Sequence, residues 1–148
     1  MVGYGTPGGN RILHHRAETQ GNLNMSLHGL DQSTTPGAGQ AVIDALRPVP
    51  EAALPNKARI DWVVDAYMDV VAPRRDPAAA ILWFSDPDTP YHYRGIESAE
   101  AAEAIRHADA ALGRLLQWRD ASGRGETLQI IVQIGSASCR DRGEIRVA

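Results

Sequence analysis

Two side chains near the middle of this chain are spaced to act together. Asp88 is followed four residues later by His92, inside the run Ile81-Leu82-Trp83-Phe84-Ser85-Asp86-Pro87-Asp88-Thr89-Pro90-Tyr91-His92-Tyr93-Arg94-Gly95. A carboxylate and a neutral imidazole are common ligands of divalent metals such as zinc. Pro87 and Pro90 leave the segment little conformational freedom to lose on binding. The same letters also describe an ordinary turn, in which Asp86 and Asp88 bond their own backbone and a loop histidine is simply solvated. Spacing alone leaves both readings open.

The flanking residues define the elements that would position this pair. Residues 78–84 form a short, nearly continuous apolar run, the pattern of a strand buried on both faces. After the Asp88–His92 loop, Ser98 is a natural N-cap, and Glu100 puts a negative charge in the first turn of a helix. Ala101, Ile105, Ala108, Leu112, Leu115 and Leu116 repeat at helical spacing until Ser122-Gly123-Arg124-Gly125 breaks the pattern. Residues 128–132 are a second candidate for a buried strand. Strand, helix and strand make a βαβ unit with a right-handed crossover and parallel strands, which sets the fold class as α/β. In such sheets chemistry collects at the carboxyl ends of strands, where Asp88 and His92 would lie.

Upstream, residues 1–39 are rich in glycine and without clear periodicity, and read as loops. A short helix is expected over 39–46, stopped by Arg47-Pro48-Val49-Pro50. A longer helix is expected from about 55 to 71, capped by Asn56, with Ile60, Val63, Val64, Tyr67 and Val71 on one face and Pro73 ending it.

Composition excludes several classes. The chain has 148 residues, 43% of them hydrophobic, and a formal net charge of -3. That length suits one core, and the charge lacks the basic excess that binding a nucleic acid polymer needs. No apolar run reaches the roughly 20 residues that would cross a bilayer. The single cysteine, Cys139, excludes an internal disulfide and a cysteine-rich zinc cage.

A resemblance gives the central motif more weight. The segment from Trp83 to Ser98, then Ala104-Ile105-Arg106, Ala108-Asp109, Leu112-Gly113-Arg114-Leu115-Leu116 and Ile130-Ile131-Val132, closely resembles the type I phosphodiesterase/nucleotide pyrophosphatase family of the alkaline phosphatase superfamily. The likeness is strong over about 54–133 and fainter over 5–30. Its P-D-x-x-x-H-x-x-G loop falls on Pro87, Asp88, His92 and Gly95. The resemblance implies a partial alkaline-phosphatase-like sandwich, with a mostly parallel central sheet flanked by helices. It implies two divalent metals, zinc, about 4 Å apart, which stabilise the attacking and leaving oxygens in an in-line displacement at phosphorus. Asp88 and His92 would both bind one of them, the metal that orients the water of the second step, so this chain would carry at most one partial site. Asp86 and Gly95 would shape the loop without a direct role. The implied substrate is a small-molecule phosphoester, hydrolysed through a covalent phospho-threonine or phospho-serine.

The remaining residues limit that expectation. The family's nucleophile and first aspartate ligand are expected upstream of the matched region, and Thr6 reads as a turn threonine. Gln133 should lead into Ser-Asp-His-Gly, yet the chain continues Ile134-Gly135-Ser136-Ala137. Residues 134–148 resemble a translated sequencing adapter and are expected to be a non-native tail. Residues 1–133 are expected to be a fragment of a phosphodiesterase domain, inactive as it stands. The alternative is a non-catalytic α/β interaction module. His14, His15 and His28 read as solvated loop histidines, and His107 as a boundary residue paired with Glu103. Arg114 with Asp120 reads as part of a solvated face. Trp62, Trp83 and Trp118 read as core or rim aromatics.

Overall fold

The computed structural model describes residues 2–3, 12, 14–28 and 35–133; Thr6 and the tail 134–148 lie outside them. The described chain mixes helix and strand and is mostly helical. Strands β1 (Val2–Gly3), β2 (Met25–Ser26) and β3 (Leu82–Trp83) form a small sheet in the order β2-β1-β3, with both pairings parallel.

Helix α1 spans Ala38–Ala45, entered through Gly37 at φ 68°, a conformation that glycine adopts without a steric penalty. Helix α2 spans Lys57–Asp65 and continues as a π-helical segment, Ala66–Val71, into α3, Ala72–Arg75. The sequence suggested that Pro73 would end this helix, and the structure corrects that by two residues. The wider turn before the proline relieves the contact between its ring and the preceding carbonyls. The left-handed Asp76 then stops the helix, with its amide on the Ala72 carbonyl at 3.0 Å, and Pro77 follows. Ile60, Val63, Val64, Tyr67 and Val71 are all buried, as their spacing predicts, and Trp62 joins them with its indole N–H donating to the Arg47 carbonyl at 3.0 Å.

The apolar run 78–84 pairs only at β3 and is half-buried there, while Ile81 is exposed. Helix α4, Asp88–Arg94, follows, and then the long α5, Ala99–Ala121. The Ser98 hydroxyl caps α5 by accepting from the Ala101 amide at 3.1 Å, as expected. The buried face of α5 matches the predicted stripe at Ala101 and Leu115, with Ala108 and Leu112 half-buried, but is shifted toward Ala104 and Ala111. It consists of Ala101, Ala104, Ala111 and Leu115, whereas Ile105 and Leu116 are exposed. Alanines let α5 lie close against α2, and the closer approach rotates the larger side chains outward.

Residues 128–133 carry no strand pairing among the described residues, so the expected βαβ unit is not formed there. Ile131 and Val132 are 81% and 60% exposed. The Thr127 and Leu128 amides bond back to the Arg124 carbonyl in a turn just before this run. Ile130 is partly buried against the core, which centres on Met25, Trp62, Ile60, Val63 and Val64. Trp118 closes its rim, edge-on to Tyr67 at 5.5 Å and under the Arg124 guanidinium at 5.8 Å.

Candidate functional site

The segment from Ser85 to Gly95 is more regular than a loop. The Ser85 carbonyl accepts from both the amide and the hydroxyl of Thr89, at 3.1 and 3.2 Å, and the Tyr91 amide bonds the Pro87 carbonyl. Pro90 is buried and anchors α4 from below, and Gly95 at φ 92° ends it. Asp88 and His92 therefore stand one helical turn apart on the same face of α4. The His92 Nε2 lies 3.3 Å from the Asp88 Oδ2, and the two side chains are 48% and 58% exposed.

This separation suits a shared cation. Ligand atoms about 2.0–2.1 Å from a tetrahedral zinc lie about 3.3–3.4 Å from one another, so the pair could close on the ion without moving apart. Both groups face solvent, which leaves the remaining coordination positions open to water, substrate or other ligands. Among the described residues no third histidine, cysteine or carboxylate joins them in a group able to hold a metal.

Two residues before Asp88 stands Asp86, 4% exposed. Its Oδ2 accepts from the Asn56 backbone amide at 2.6 Å, and its Oδ1 is buried without a hydrogen-bond partner. Asn56 occupies the cap position of α2, as the sequence predicted, but its side chain does not cap the helix. The Asn56 Oδ1 instead accepts from the Ala53 amide at 2.9 Å. Asp86 and Asn56 thus join the start of α2 to the segment that carries Asp88 and His92. The sequence reading treated Asp86 as a shaping residue only; its contact across 30 positions has no local sequence signal.

The other ionisable residues are used elsewhere. His107 bonds the Asp61 carboxylate at 3.1 Å rather than pairing with Glu103, which bonds Lys57. Arg114 spans Asp61 and Asp65 rather than Asp120, and Arg47 meets the other oxygen of Asp65 at 2.5 Å. These bonds knit α2 to α5. Burial pulls the Asp65 carboxyl upward, but the hydrogen bonds and charges of Arg47 and Arg114 outweigh it and hold the group below its usual range. The same pairing, Asp65 first, raises Arg114. His14, His15 and His28 belong to the 14–28 segment, and no metal-holding group forms around them among the described residues.

Residues 14–133 match the family model described as type I phosphodiesterase / nucleotide pyrophosphatase, and the chain belongs to that family. The match includes α4 and both of its candidate ligands. No curated protein and no solved structure matches the chain. Membership supports a parent protein of the phosphoesterase type, in a hydrolase family whose substrates are small-molecule phosphoesters and which is generally metal-dependent. Among the described residues no helix is long and apolar enough to cross a membrane.

Proposed function

We propose that Asp88 and His92 hold a divalent metal, zinc, and that the parent enzyme uses it with a second ion to hydrolyse a phosphodiester or nucleotide pyrophosphate bond. The observation that carries this reading is the 3.3 Å separation of the two ligand atoms on one exposed face of α4, inside the family match. A bound ion would supply Lewis-acid stabilisation at phosphorus and a water acidified for attack. This chain's own contribution is to orient the ligands. The carboxylate stands at the first residue of α4, the imidazole one turn later, and the buried Pro90 between them fixes the turn.

The threonine or serine nucleophile and the ligands of the second metal are assigned to the rest of the parent domain, of which residues 1–133 are one part. The exposed Ile131 and Val132 support that assignment, because a further strand of a mostly parallel sheet would cover them. The chain by itself is accordingly inactive, since nucleophile and metal clamp act as a unit.

Zinc titration calorimetry on the whole chain tests the site. Asp88→Asn and His92→Gln should each weaken zinc binding by at least about tenfold, a loss of about 1.4 kcal/mol. Unchanged affinity in both variants would leave α4 as a structural turn and favour the interaction-module reading.

A further inference from the structure

We infer that Asp86 is a positioning residue for the metal-binding face of α4, an inference that rests on the proposed zinc site at Asp88 and His92. Asp86 stands two residues before Asp88, almost wholly buried, and among the described residues its carboxylate's one hydrogen bond is the 2.6 Å contact from the Asn56 amide. Burying a carboxylate with one oxygen unpaired is unfavourable, so burial alone does not account for an aspartate at this position. Its contact does. The Oδ2 bond ties the residue two positions before Asp88 to the backbone at the start of α2, a helix that buries Ile60, Trp62, Val63 and Val64, so the ligands stand on a fixed support.

Asn56 makes the arrangement two-sided. Its side chain is turned back onto the Ala53 amide, which holds the backbone N–H of Asn56 toward Asp86. The contact is a clamp between α2 and α4 with no part in the α2 cap.

Linkage supplies a test that a purely structural clamp would not satisfy: if the clamp favours metal binding, metal binding must tighten the clamp by the same factor. Amide exchange followed by NMR on the whole chain should show the Asn56 N–H slowing by about tenfold when zinc is added, and no such slowing in His92→Gln, the range seen for groups that orient metal ligands. Asp86→Ala should raise the zinc dissociation constant by about 10–100-fold. Asp86→Asn keeps an oxygen for the Asn56 amide and should recover most of that loss. If zinc binds through His92 while Asn56 exchange is unchanged and Asp86→Ala binds like the parent chain, the positioning role is wrong and the site stands. If zinc binding is indifferent to His92, the site itself is wrong and the inference falls with it. Should Asp86→Ala fail to fold, the exchange measurement on the unaltered chain still decides.

Discussion

Asp65 shows how much single residues contribute to holding the scaffold under the site. It is 15% exposed and accepts from Arg47 on one oxygen and Arg114 on the other. Its folded pKa is depressed, so its contribution is fully present above the unfolded value near 3.8 and is lost as pH falls through the lower folded value. Asp65→Asn should therefore destabilise the chain by about 1–2 kcal/mol at pH 7, with the difference narrowing as pH falls below 3.8. Urea unfolding of both proteins between pH 7 and pH 3 checks the sign as well as the size. Trp62 is the larger case. Trp62→Ala removes the biggest wholly buried side chain and leaves the Arg47 carbonyl without its indole donor, a loss of about 3–5 kcal/mol readable in the midpoint of denaturation. At this scale the sequence singled out the proposed ligand pair, because Asp88 and His92 are neighbours along the chain and stand one turn apart on α4. It did not reveal Asp86 with Asn56, or Asp65 with its two arginines, since those partners meet only after the helices pack.

At the scale of elements, local signals were read well where they act locally. The buried stripe of α2 and the π-helical segment that continues it follows from five apolar residues at helical spacing, and the start of α5 follows from Ser98. Ser98→Ala should lower stability by about 1 kcal/mol, with fraying of the first α5 turn visible in amide exchange. The face of α5 was read correctly at Ala101 and Leu115 but not at Ile105 and Leu116, which are exposed, while Ala104 and Ala111, outside the expected stripe, are buried. Alanine is favoured where two helices approach closely, and Ala104 is wholly buried. Ala104→Leu should accordingly cost about 1–3 kcal/mol by overpacking, although it adds apolar surface, while Ile105→Leu on the exposed side should be nearly neutral. Thermal melts of the two variants distinguish this register from the one that periodicity suggested. The 78–84 and 128–132 runs illustrate the opposite limit. Their apolar composition specifies a strand only when neighbours exist to pair with, and here two residues of the first pair and none of the second do, among the described residues.

For the whole molecule, the consequence is a helical body on a very small parallel sheet with apolar side chains left uncovered at Ile81, Ile96, Tyr93, Ile131 and Val132. Such surface favours association. Sedimentation velocity should show self-association at tens of micromolar, reduced by Ile131→Lys; a monomer at all concentrations would argue against an uncovered edge. Family membership gives this body its place in a phosphoesterase, and α4 is where it would meet the chemistry. The most direct test of that claim follows the ring nitrogens of the five histidines by long-range proton–nitrogen NMR while zinc is added to the whole chain. The account predicts that the His92 ring shifts first and that Asp88→Asn weakens the response. A His92 ring that stays unchanged while zinc saturates the chain, or binds at another histidine, would contradict it.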